Sequence, residues 1–193
     1  MSSLDELVIV EKRKKMKEKY NKISTGMYIR NEVMQFKCFN FFNERMEIWL
    51  PDTFVKMPSA IAQVKYPSSQ RPQIIMTDLS SSVNFTFSLF DMEIDKEDIE
   101  DTCKGFQSII KKVQPANVFY ENDTWELGKT KVSWFDYKAS AIDADIYNIV
   151  YVTSIGKNIL HGIFNCMDQE SADWKEAAFQ VIQSIKDLTR GEE

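Results

Sequence analysis

Residues 42–58 read FNERMEIWLPDTFVKMP. The stretch opens as a strand: Met46, Ile48 and Leu50 share one face, and Glu47 and Trp49 share the other. It stops at Pro51-Asp52, because proline has no N–H to give the ladder. Two apolar anchors follow the stop, Phe54 and Met57. Working backwards, VMQFKCFNFF alternates as a strand with Met34, Phe36, Cys38 and Phe42 in one phase. The turn Asn43-Glu44-Arg45 joins the two runs, which predicts a β-hairpin.

Downstream, PQIIMT and SSVNFTFSLF give two more strands. The second alternates most cleanly, with Val83, Phe85, Phe87 and Leu89 inward against Asn84, Thr86 and Ser88. That pattern fits a sheet with one wet face, or one covered by a partly polar layer. A helix is predicted over about 96–112, with Asp95 as N-cap, Glu97 and Asp98 at the positive end of the dipole, and Ile99, Cys103, Phe106 and Ile110 as its stripe. Strands are expected near 116–121, 130–141, 145–155 and 158–166. The turns DAD and GKN are short, so these neighbours pair antiparallel. A last helix is predicted over about 171–188, capped by Ser171, with Trp174, Ala178, Val181, Ile182 and Ile185 on its apolar face. Before all of this, residues 3 to about 24 are helical in pattern, rich in Lys, Glu, Leu and Met, with a narrow stripe of Ile9, Met16, Tyr20 and Ile23. The fold class is therefore α+β: an antiparallel sheet of about six to eight strands with helices packed on it, preceded by an N-terminal helical arm.

The composition is that of a soluble globular protein: 193 residues, 44% hydrophobic and 27% charged. No apolar run reaches the ~18 residues needed to cross a bilayer. At the N-terminus, acids precede a short apolar run and bases follow it, the reverse of a secretory signal. A cytoplasmic protein is expected. Three cysteines, Cys38, Cys103 and Cys166, are few, odd in number and far apart, which points to reduced core thiols. The charge is split. Residues 1–30 carry eight Lys and Arg against four Asp and Glu, a net of +4, which leaves −9 on the remainder of a chain of net −5.

MEIWLPDTF at 46–54, a strand ended by Pro-Asp with an aromatic two residues after the Asp, resembles the PsbP-like α/β/α sandwich. So does ILHGIFNCMDQESADWKEAAFQVIQSIKDL at 159–188, a core strand running through a short acidic loop into a helix that closes on SIK. That fold includes a photosystem II extrinsic subunit, a eukaryotic Ran-release factor and bacterial DcrB-like domains. The run VKYPSSQRPQIIMTDLSSSVNFTFS is similar to an uncharacterised group of Firmicute proteins. The likeness spans about 34–190. The likeness leaves outside it the basic helical arm that charge and pattern mark at 1–30, and implies a single PsbP-like domain at 31–193, with Pro51-Asp52 turning the chain off the sheet and Phe54 plugging the end of the core. Members of the fold bind proteins, and some DcrB-like domains look like chaperones for secreted effectors. Its motifs are packing motifs and imply no activity.

The chemical signals are thin. DTWELGKT at 123–130 ends like a phosphate-binding loop, but Asp123 stands where a glycine is needed and a strand pattern follows instead of a helix, so a hairpin turn is expected. DMEIDKEDIED at 91–101 holds seven acids, yet a calcium loop starting at Asp91 would need glycine at 96 and glutamate at 102, where Lys96 and Thr102 stand. His161, the only histidine, lies on a strand in opposite phase to Cys166, which excludes a Cys/His dyad. In KVSWFDYKA, Trp134 sits on one face and Phe135 and Tyr137 on the other, to be covered by helices on both sides; the acidic body disfavours nucleic acid. No catalytic residue, cofactor or metal is expected, and no membrane. The reading is a non-enzymatic protein-binding module: an adaptor, an effector chaperone or an immunity-like protein. Lys12, Arg13, Lys14, Lys15 and Lys17 carry docking on an acidic surface, that of the chain's own body, of a second copy or of a protein partner. The alternative is a binder of a small apolar ligand held between sheet and helix.

Overall fold

The computed structural model describes residues 4–140 and 144–189. Helix α1 is Leu4–Lys19. A small three-stranded sheet follows, β1 (Asn21–Lys22), β2 (Gly26–Ile29) and β3 (Glu32–Met34), and then the hairpin β4 (Phe36–Phe41) and β5 (Met46–Pro51). Strand β6 (Val55–Lys56) leads into α2 (Ser59–Lys65), β7 (Ile74–Thr77) and β8 (Asn84–Glu93). A 3-10 turn at Lys96–Asp98 opens α3 (Ile99–Val113). The meander β9 (Val118–Leu127), β10 (Thr130–Ser140), β11 (Asp145–Ile155) and β12 (Asn158–Met167) runs into α4 (Ser171–Gln183) and the short β13 (Lys186–Asp187).

Seven strands form one antiparallel sheet in the order β6-β7-β8-β12-β11-β10-β9. Its two faces bury different sets. Phe85, Phe87, Leu160, Phe164, Tyr147, Ile149, Tyr151 and Trp134 meet α4 and the sheet β13-β5-β4 in the main core. Phe135, Tyr137, Val150, Val152 and Ile159 meet α3 through Ile99 and Cys103, and Ile75 meets Met57 and Ala62 of α2. The expected turning-off at Pro51-Asp52 is present, and Phe54, 2% exposed, stands between Phe85 and Trp174 with ring centroids 6.1 and 5.9 Å away. Gly162 is required by close packing: a Cβ there would lie 2.1 Å from the Tyr151 ring on the paired strand.

Several details differ from the sequence reading. Cys38 is exposed, not a core thiol. The register pairs Phe39 with Ile48 and Phe41 with Met46, so those larger rings take the inward face and Cys38 stands opposite Trp49. Of the two expectations for the polar face of β8, the covered one holds: Asn84, Thr86 and Ser88 are all buried on the face that α2 and α3 cover, and Asn84 gives its amide to Asn165 at 2.8 Å. Strand β9 runs on to Leu127, and the turn at Gly128 (φ +60) is a hairpin turn. Helix α4 ends at Gln183. Ser184 accepts the Trp49 N–H at 3.0 Å and donates to the Val181 carbonyl at 2.6 Å, after which Ile185 enters the core and β13 pairs with β5. Ser171 does not cap α4; its hydroxyl donates to the Asp168 carbonyl at 2.6 Å. Asp95 precedes the 3-10 turn without a side-chain capping bond. The DAD turn includes Asp143, outside the described residues; the GKN turn is the two residues Gly156-Lys157 between β11 and β12.

If Phe54 closes the core, Phe54→Ala lowers the unfolding free energy by about 3–5 kcal/mol, the cost of emptying a phenylalanine site. Val55→Ala, at a 45% exposed neighbour, costs less than about 1 kcal/mol. Urea unfolding of the two variants measures both.

Candidate partner-binding surface

Helix α1 forms because its sixteen residues contain no Gly or Pro, and the Glu-, Lys-, Arg- and Met-rich run after Val10 favours helix enough to carry the β-branched Val8-Ile9-Val10. It ends where the chain turns into β1: Tyr20 still gives its N–H to Met16, while the Tyr20 carbonyl accepts from Tyr28 at 2.9 Å. Gly26 permits that return with φ +98, in a place where a Cβ would lie 2.8 Å from the Gln35 amide. The base of the arm is then pinned to α4. Gln180 accepts the Ile23 N–H at 3.1 Å and donates to the Asn21 carbonyl at 2.8 Å, and Lys17 pairs with Asp173 at 3.1 Å. Behind the helix, Met27 and Ile29 lie in the main core, so the charge boundary at residue 30 does not coincide with a boundary of packing.

Lys12, Arg13, Lys14, Lys15 and Lys17 are all exposed on α1. At about 100° per residue they are spread around the helix rather than along one side. Lys17 is committed to Asp173, and Lys15 reaches Glu11 only at 3.9 Å. Lys12, Arg13 and Lys14 make no ion pair among the described residues. Met16, Tyr20 and Ile23 are partly buried, as their stripe predicts, but Ile9 is 50% exposed. Leu7, Val8 and Val10 are 57–61% exposed. In the sequence these residues stand out only as a short apolar run, whose signal is that four consecutive apolar residues cannot share one helix face.

A second cluster is built on a buried carboxylate and reaches the surface at Glu121. Asp136, fully buried at a bulge in β10, accepts the Glu121 N–H at 2.7 Å and the Tyr147 hydroxyl at 2.6 Å, and pairs with Lys175 of α4 at 2.9 Å. Lys175 also reaches Glu121 at 2.9 Å. Burial and the Asp136 charge push the Tyr147 hydroxyl up, and burial of Lys175 is outweighed by its two carboxylate partners, which hold its ammonium above the usual range. Every member bonds another, so the cluster fastens α4 to the sheet. Its one sequence signal was a lone acid within SWFDYKA. Across the sheet, Arg30 at the turn after β2 is held by Glu170, by Asp78 at 3.7 Å and by Ser82 at 3.3 Å.

His161 is partly exposed, as expected, and lies under α3 with its ring 4.7 Å from that of Phe106. Burial lowers its pKa to about 4. Cys103 and Cys166 are pushed up by burial to about 11 and about 12, far from the reactive thiolate. Among the described residues there is no group of three or more His, Cys, Asp or Glu that could hold a metal ion, and no helix long and apolar enough to cross a membrane. A crevice of about 320 Å³ between α3 and β9 has polar walls, including Glu100, Lys104, Gln107 and Asn122.

No family model matches the sequence, and no curated protein matches it. Solved structures do. The cyanobacterial PsbP of Synechocystis sp. aligns with a TM-score of 0.58 at 10% identity, over 81% of this chain and 95% of that one. The Ran-binding protein Mog1p of Saccharomyces cerevisiae aligns with a TM-score of 0.51 at 10% identity, over 80% and 96%. The fold is thus the PsbP-like α/β/α sandwich.

A His161 held neutral by burial has a pH signature. Its folded pKa lies below the unfolded value of 6.5, so the unfolded chain takes up the proton first as pH falls. Stability is complete above about pH 6.5 and falls by up to about 3 kcal/mol as pH drops towards 4. Denaturant titrations at several pH values should show a loss between about pH 6.5 and about pH 5 in the wild type that is absent in His161→Gln, while the loss nearer about pH 4 that lowered carboxylates such as Asp78 contribute remains in both.

Proposed function

We propose that the chain is a non-enzymatic protein-binding module that engages an acidic partner surface through its basic arm. The observation that carries this is the state of α1: Lys12, Arg13 and Lys14 stand exposed without an ion pair among the described residues, on a helix whose base is fastened and whose apolar N-terminal residues are uncovered. A helix of this length is marginal in water by itself, so its free half gains by being bound. The division into an arm at 1–30 and a body at 31–193 is functional in this reading. A protein of the same fold, Mog1p, is a Ran-binding protein, which supports a binding role for the architecture. The role fits an adaptor, an effector chaperone or an immunity-like protein working in the cytoplasm. A second copy is the poorer occupant, because two α1 helices would face lysine with lysine. The ligand-binding alternative gains no support from a core whose sheet–helix spaces are filled by Trp174, Phe85 and Phe164 on one side and Ile99, Cys103 and Phe135 on the other.

Affinity capture from the source cell with the full chain tests the reading. The expected result is one protein retained at low salt and released as salt rises, because exposed charges are screened beyond ~10 Å at 0.1 M. Its retention should fall when Lys12, Arg13, Lys14, Lys15 and Lys17 are changed together to Gln. Recovery of no protein, with an organic ligand seen instead by native mass spectrometry, would refute the module.

A further inference from the structure

We infer that the partner presents a groove, apolar inside and acidic at its rim, that encloses the N-terminal half of α1. This rests on the binding reading above and specifies the shape and chemistry of what is bound.

The argument is the distribution of residues along and around the helix. Leu7, Val8, Ile9 and Val10 are consecutive, and each is 50–61% exposed. Successive side chains step about 100° around the axis, so four of them cover the whole circumference. A flat surface buries one side of a helix and leaves the other in water. An interfacial lipid helix accordingly carries its apolar residues along one side of its whole length. Here the segregation runs along the axis: apolar at 7–10, then basic from Lys12 to Lys19, with Glu11 and Glu18 between. Only a concave site can cover all four apolar residues at once, a deeper enclosure than the groove that receives one face of an amphipathic helix.

The collar sets the charge of the rim. Lys12, Arg13, Lys14, Lys15, Lys17 and Lys19 follow within about two and a half turns of the apolar tip. Among the described residues Lys17 pairs with Asp173 at 3.1 Å and Lys15 with Glu11 at 3.9 Å, and the other four make no ion pair. One open strip of the helix, about 660 Å³, is lined by Leu7, Val8, Met16 and the Glu11 carboxylate and edged by the ammonium groups of Lys12, Lys15 and Lys19. Carboxylates at the mouth of the groove would meet them while the tip enters. A second copy of α1 would bring the same cations, and the like charges would oppose pairing.

The test uses the full chain and a model groove. Calcium-loaded calmodulin serves as the probe, an acidic protein whose Met-rich groove opens with calcium. Binding is followed by calorimetry, with circular dichroism confirming that each variant is folded. The expected result is saturable binding that a calcium chelator abolishes. Changing the five bases Lys12, Arg13, Lys14, Lys15 and Lys17 to Gln weakens it about tenfold or more, and Val8→Asp with Val10→Asp removes it. No binding to the probe, or equal binding by the Asp variant, overturns the inference. So does sedimentation of the wild type with mixed phosphatidylcholine and phosphatidylserine vesicles in place of probe binding, or a dimer that the Asp variant loses. A cellular partner that the Asp variant retains at full strength would sink the groove and leave the binding module standing.

Discussion

Four aromatic rings from four stretches of chain close on one another, and the rest of the body is arranged around them. Phe54 follows the Pro-Asp corner, Phe85 lies on β8, Phe164 on β12 and Trp174 on α4. Their centroids are 4.9–6.1 Å apart around the ring. Each ring is almost fully buried, and such contacts add to the area they remove from water. The constraint explains why the chain leaves the sheet at Pro51: Phe54 can reach Trp174 only from a backbone that has turned away from β5. It also fixes where α4 lies, since Trp174 sits near the helix start.

Around that centre the sheet is buried on both faces, and this limits what the body can do. One face takes the large apolar residues. The other takes a mixture in which Asn84, Thr86 and Ser88 lie beneath the α2–α3 layer. The charged residue that enters, Asp136, is bonded by Tyr147, the Glu121 N–H and Lys175. A buried ion pair is weak evidence of stability in itself, because desolvation opposes the Coulomb attraction. Removing one partner from such a pair is costly, so the cluster ties α4 to the bulge in β10.

The proposed binding role rests on what the body carries rather than on what it contains. The Gln180 bonds and the Lys17–Asp173 pair hold the base of α1, while its apolar tip and most of its bases face solvent. Local charge and local apolarity are thereby presented from a fixed point, which lowers the entropy that a partner must overcome in ordering them.

The sequence by itself determined the elements. Alternation in Met46–Leu50 and Val83–Leu89 named core strands, the Ile99–Ile110 period named α3, and Pro51-Asp52 with Phe54 named the corner, because period and proline act within a few residues of chain. The split of charge at the arm was legible for the same reason. What only the tertiary structure decided were matters of partnership. Cys38 faces out because Phe39 and Phe41 pair with Ile48 and Met46. The last helix stops at Gln183 because Ser184 and β13 find β5, far away in sequence. Asp136 is tolerated because Lys175 arrives from another element. The polar face of β8 is buried because helices cover it. Each depends on contacts between distant residues, and a local pattern holds no record of which distant residue will come to meet it.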